Sequence, residues 1–140
     1  MSTEQDPFNG TVVRMQMDFP GARMSLAAAP DKRPDQLVLA VSPGSAAAAE
    51  CQRLQIAAGK ERETLELGQK KGPKLAFAMD TDTFDAVVAG RPLLMRLCGT
   101  ELRFDRAQLQ TLERFAEELA RVRSSVGASG GDGAQPPEVF

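Results

Sequence analysis

Val13-Arg14-Met15-Gln16-Met17-Asp18-Phe19-Pro20-Gly21 puts Val13, Met15, Met17 and Phe19 at every second position, with charged or polar side chains between them. Period two is the repeat of a strand with one buried face. Pro20-Gly21 then marks a turn. The same rhythm recurs downstream. Met24 and Leu26 share a face, and Pro30 to Pro34 interrupts the chain. Leu37, Leu39 and Val41 alternate again, with Val38 and Ala40 also apolar, so this strand suits an interior position in the sheet. Leu54 with Ile56, Leu65 with Leu67, and Leu75 with Phe77 and Met79 pattern three more strands. Ser45 to Glu50 forms at most one helical turn, Ala58-Gly59-Lys60 is a hairpin turn, and Gly68 to Pro73 reads as a loop.

After Met79 the period changes. Asp80-Thr81 precedes Phe84, Val87 and Val88, a short helix near Thr83 to Ala89 closed by Gly90 and Pro92. Leu93 to Leu97 and Leu102 to Phe104 come next as strands around Gly99-Thr100. Asp105 and Gln108 have the spacing of a capping box. Beyond them Leu109, Leu112, Phe115, Ala116, Leu119 and Val122 recur every three or four residues, an amphipathic helix over Arg106 to Arg123. The expected fold is α+β: an antiparallel curled sheet or sandwich of about six to eight short strands, one short helix, and a C-terminal amphipathic helix packed on the sheet. Short strands followed by a terminal amphipathic helix resemble the pleckstrin-homology-like architecture, in which a helix plugs an antiparallel barrel; a fold-level likeness of this kind implies no function.

The folded unit is expected over residues 9–123 as a single domain. Residues 1–8 carry no periodic pattern, and 124–140 are Gly-, Ser- and Pro-rich, the composition of a disordered tail. The tail's apolar end, Val139-Phe140, could serve as a docking peptide. The acidic, polar start at Ser2 to Asp6 lacks the charged and apolar regions of a secretory signal, and no run is long enough for a membrane span. The expected location is therefore the cytoplasm, unless a signal was removed. In that compartment Cys51 and Cys98 are expected to be free, with Cys98 buried in its apolar stretch; a disulfide becomes the expectation if the protein is exported.

Composition excludes several functions. The 140 residues carry 17 Lys+Arg against 19 Asp+Glu, with no histidine, tryptophan or tyrosine. Without histidine there is no Ser-His-Asp or Cys-His machinery and no His-ligated metal site. A net charge of −2 and seven Phe as the only aromatics give nucleic acid neither an electropositive footprint nor a stacking platform.

One motif has catalytic potential. Leu75-Ala76-Phe77-Ala78-Met79-Asp80-Thr81-Asp82-Thr83-Phe84 is an apolar strand followed by Asp-x-Asp-x-Thr, which resembles the first motif of the haloacid-dehalogenase phosphotransferases. That resemblance implies Asp80 as nucleophile on phosphorus, Asp82 as general acid/base and magnesium as the neutralising cation. The likeness covers these positions alone. Beyond Thr83 the chain holds a short helix, a hairpin and a long helix, with no Lys after Lys74, so the doubly wound domain and later ligands of that family have no counterpart. A helix start explains the same residues, because Asp80 or Thr81 can accept backbone N–H bonds as an N-cap while Asp82 and Asp85 sit in the positive first turn. No EF-hand spacing surrounds them, so no metal site is expected.

Lys70, Lys71 and Lys74 form the basic cluster, with Arg91 as a possible companion. They lack the Walker spacing, and a solvated loop guarding a sheet edge explains them; as a site they would take an anionic lipid, nucleotide or acidic peptide. Met15, Met17, Met24, Met79 and Met95 fall on inferred inner faces and read as core. The Ala- and Arg-rich usage looks bacterial. The reading reached from the residues is a non-enzymatic binding or accessory module with another protein as partner, no catalytic residues and no cofactor. The partner would dock on a sheet edge or on the outer face of the long helix.

Overall fold

The structure, a computed structural model, describes residues 2–8 and 10–133, the segment 125–133 by its backbone alone. Its strands are β1 (Ser2–Asp6), β2 (Gly10–Phe19), β3 (Ala22–Ala28), β4 (Gln36–Pro43), β5 (Arg53–Ala58), β6 (Glu61–Lys71), β7 (Lys74–Asp80), β8 (Leu93–Leu97) and β9 (Thr100–Arg103). The helices are α1 (Ala46–Ala49), α2 (Thr81–Ala89) and α3 (Arg106–Gly133). The nine strands make one curled antiparallel sheet in the order β1-β2-β3-β4-β7-β6-β5-β8-β9. The chain leaves β4 through α1, lays down β5, and returns by the β5-β6-β7 meander to pair β7 with β4. It then recrosses beneath that meander through α2, which packs on β5, β6, β7 and α3.

One continuous apolar core explains this arrangement. The alternating residues read in the sequence turn inward: Met15, Met17, Met24, Leu39, Ile56, Phe77, Met79 and Met95 are buried, and among the described residues no buried side chain is polar or charged. α3 lays Leu112, Phe115, Leu119 and Val122 into the same interior. Edge-to-face aromatic pairs fix its position. Phe115 meets Phe84 of α2 at 5.7 Å between ring centres, and Phe104, just before α3, meets Phe19 of β2 at 5.0 Å. The capping box forms in both directions: the Asp105 N–H donates to Gln108 Oε1, and the Gln108 N–H to Asp105 Oδ1, each at 2.8 Å.

The structure corrects five expectations. Ser2–Asp6, placed within an unstructured start, forms edge strand β1 against β2. Its side chains are almost all exposed, so it carries no apolar period; it is held by backbone pairing and by polar links such as Arg14 Nε to Glu4 at 2.7 Å. β6 does not end at Leu67. A bulge at Gly68 absorbs the register shift and the strand runs on to Lys71, so Lys70 and Lys71 lie on a strand and only Gly72-Pro73 makes the turn. α3 continues past Arg123, where its apolar period ends, to Gly133. Residues 134–140, with the apolar end at Phe140, lie outside the described residues.

The fourth correction concerns the cysteines, which are joined rather than free, with a Cα–Cα distance of 5.8 Å. Fifth, Cys98 is exposed at the β8–β9 turn, with φ +54°, while Cys51 is buried ahead of β5. The bond staples the start of β5 to the far end of β8. One glycine is also required by contact: a Cβ at Gly10, φ +74°, would collide with the Asp31 carboxylate that accepts the Thr11 N–H at 2.8 Å.

Candidate functional site

Asp80 ends β7 and is the N-cap of α2. Its Oδ1 accepts the Thr83 N–H at 2.8 Å, satisfying one of the orphan donors of the first helical turn. That backbone bond, followed by a side-chain bond with Thr83, holds the Asp80 carboxyl below its ordinary value. Asp82 lies in the same positive first turn. Among the described residues no three His, Cys, Asp or Glu side chains are grouped to hold a metal ion.

The basic candidates are separated by the fold. Lys71 and Lys74 oppose each other across the β6–β7 turn, with Lys70 one position along β6 and leaning on Glu50 at 3.5 Å. Arg91 lies beside the β5–β6 turn, where the Gly59 N–H donates to the Pro92 carbonyl at 3.0 Å. The eleven residues of β6 run between these two ends, about 34 Å at the usual strand rise. Arg91 instead clamps two helices. Its Nη1 donates to the Val88 carbonyl at 2.6 Å and to the Gly90 carbonyl at 2.9 Å, at the C-terminal end of α2, and its Nη2 to Glu113 of α3 at 2.8 Å. A cation among the last carbonyls of a helix is favourably placed.

The sheet has two outer faces that the sequence did not reveal as units. On the β2–β3–β4–β7 half, register brings Ala27, Val38 and Ala78 into one row and Ser25, Ala40 and Ala76 into the next. Val38 is 43% exposed there. A shallow groove of about 420 Å³ crosses this surface, with Arg14 and Arg33 on its margin.

On the β5–β6–β8–β9 half, the outward positions are charged. One row across the strands reads Arg62, Ala57, Leu94, Arg103, and the next Thr64, Gln55, Arg96, Glu101. Arg53 pairs with Glu66 at 3.2 Å at the side of this surface. Glu101 is shared, since Arg96 and Arg103 each reach it at 2.8 Å; their hydrogen bonds, Arg96 foremost, hold its carboxyl below the ordinary range. Arg62 donates to the Gly59 and Glu61 carbonyls at 2.8 and 2.9 Å, which orients the guanidinium without neutralising it. A groove of about 360 Å³ lies here, with Ala57 and Leu94 in its floor, Arg62 and Arg96 in its walls and Glu63 among its lining. These arginines are spread from position 53 to position 103, so no local motif announces them. The signal that could have found three of them is alternation: Arg53, Arg96 and Arg103 each stand next to a core residue, as Arg96 does between Met95 and Leu97, whereas Arg62 stands between Glu61 and Glu63.

No helix among the described residues is long and apolar enough to cross a membrane. No family model, curated protein or solved structure matches this chain.

Proposed function

We propose that the chain is a non-enzymatic binding or accessory module of a bacterial protein assembly or regulatory pathway, acting on another protein. The observation that carries this reading is the use made of Asp80. The motif that could have performed phosphoryl transfer supplies its first carboxylate to the Thr83 N–H, which is the work of a helix cap. A helix start therefore accounts for this carboxylate without giving it a catalytic role.

The test is turnover of a generic phosphoester with and without magnesium. The module reading expects no release above the buffer blank from either the natural chain or Asp80→Asn. Magnesium-dependent release that Asp80→Asn abolishes would overturn it in favour of the phosphotransferase. A second reading, an anion or lipid site at the Lys70–Lys74 hairpin, is favoured by the opposition of Lys71 and Lys74 across a two-residue turn. Retention on anionic liposomes, abolished by salt and by Lys71→Gln, would support it.

The compartment is read from the cysteines. Of the two locations compatible with the residues, the Cys51–Cys98 bond favours an oxidising one over the cytoplasm, where thiols are kept reduced. Alkylation of native-host protein before and after reduction reads this directly. Labelling that needs prior reduction supports export, and free thiols return the chain to the cytoplasm.

A further inference from the structure

We propose that the outer face of β5, β6, β8 and β9 docks an extended acidic segment of a partner protein, one that lays an apolar side chain on Ala57 and Leu94 between two carboxylates that reach the arginines. This rests on the module reading and names the partner's chemistry.

Charge is the first argument. The face carries Arg53, Arg62, Arg96 and Arg103 against Glu63, Glu66 and Glu101, an excess of one positive charge on a chain whose net charge is −2. The pairing within it is incomplete by geometry, because one Glu101 carboxylate serves two arginines and Arg62 is held by carbonyls. Guanidinium groups fixed this way keep donor edges for an incoming carboxylate.

Spacing is the second argument. Arg62, Ala57, Leu94 and Arg103 stand in one row on four adjacent strands. Neighbouring strands lie about 4.8 Å apart, so the two arginines are separated by about 14 Å at their backbones. An extended peptide advances about 3.4 Å per residue and turns alternate side chains to one side. Carboxylates at positions i and i+4 then lie about 14 Å apart, with the side chain at i+2 above the apolar floor. On a helix, residues i and i+4 are only about 6 Å apart and cannot span the row. The floor decides between anions, since Ala57 and Leu94 offer an apolar contact that a peptide can use and inorganic phosphate cannot.

The experiment is an NMR titration of the full ¹⁵N-labelled chain with a blocked peptide, Ser-Glu-Ser-Leu-Ser-Glu-Ser. Its controls are the same peptide with glutamine for both glutamates, inorganic phosphate, phosphatidylglycerol vesicles and a single-stranded oligonucleotide. The proposal expects saturable shifts at the amides of β5, β6, β8 and β9, lost with the glutamine peptide. Arg62→Gln and Arg103→Gln each weaken binding by about fivefold, the scale of one exposed charged contact, and Lys71→Gln leaves it unchanged. Spectra of the variants establish that they fold.

The proposal is overturned by an absence of saturable shifts, by shifts confined to another face, by Arg variants that bind as well as the natural chain, or by phosphate, vesicles or oligonucleotide reproducing the shifts at equal concentration. Those results remove this site and leave the module reading standing, which is tested separately by turnover of a phosphoester and by retention on anionic liposomes.

Discussion

Between Leu37, Leu39 and Val41 of β4 stand Val38 and Ala40; beside Leu54, Ile56 and Ala58 of β5 stand Arg53, Gln55 and Ala57. The inward residues are interchangeable in kind, since both sets are buried in one core. The outward ones differ. Across β3, β4 and β7 the first half presents small side chains, with the exposed pairs Arg14–Glu4 and Arg23–Asp18 at its β2 margin, whereas the β5–β6–β8–β9 half carries arginine and glutamate across its middle rows. Inward positions are dictated by burial, at about 25 cal/mol per Å² of apolar surface removed from water. Outward positions are free of that demand. The ion pairs on the second half are solvent-exposed, as with Arg103 beside Glu101, and exposed pairs add little stability. Stability therefore does not account for the arginines, and the proposed docking of an acidic segment supplies a use for them.

The largest expected effect breaks the second half specifically. Replacing Cys51 and Cys98 by serine frees a loop closed across a separation of 47 residues, worth about 4 kcal/mol in the chain-entropy account. Urea unfolding with and without reductant should show this loss in the natural chain and none in the double variant. Hydrogen exchange should show β8 and β9 losing protection ahead of β2 to β4.

Next comes the inward–outward contrast on a single strand. Leu39→Ala, in the core, should cost about 3 kcal/mol by chemical denaturation, whereas Val38→Thr next to it should stay within about 0.5 kcal/mol. Equal losses would mean that the outer face is covered in solution. Asp80→Ala should lower the melting temperature by about 4 °C through loss of the α2 cap, with Asp80→Asn retaining most of it. Arg62→Gln and Arg103→Gln should shift it by no more than about 2 °C while weakening the acidic peptide.

A contact at the edge of the first half sets an acid limit. Glu118 of α3 is held at about 2 by hydrogen bonds from Arg121 and then from Thr3 of β1, against an ordinary value of 4.5. Its folded value lies below its unfolded one. The stability it supplies is thus complete above about pH 4.5 and is lost as pH falls towards 2. Acid titration followed by the β1 amides should show β1 loosening in that window, and Glu118→Gln should remove the pH dependence.

The parts of the fold legible in the residues are those where burial writes a period. The α3 stripe from Leu109 to Val122, the inward faces of β2, β4 and β7, and the Asp105–Gln108 box all stem from local pattern. β1 was hidden because Ser2 to Asp6 buries almost nothing, and the length of β6 because Gly68 carries a bulge where a loop is the simpler reading. The arginine face was hidden for a different reason. Arg62 and Arg103 become neighbours in one row only through the pairing of four strands, and register between distant strands leaves no local trace. The lysine hairpin shows the converse, for adjacency in sequence grouped Arg91 with Lys70, Lys71 and Lys74 although β6 separates them.

The claim on which the functional reading depends is that the Asp80 carboxylate is a helix cap, and a carbon-detected NMR titration of that carboxyl tests it most directly. The account predicts a titration below the ordinary 3.8, with the Thr83 amide proton moving at the same midpoint and neither signal responding to magnesium. An Asp80 that titrates at or above 3.8, a Thr83 amide that ignores it, or a shift of both on adding magnesium would contradict the account.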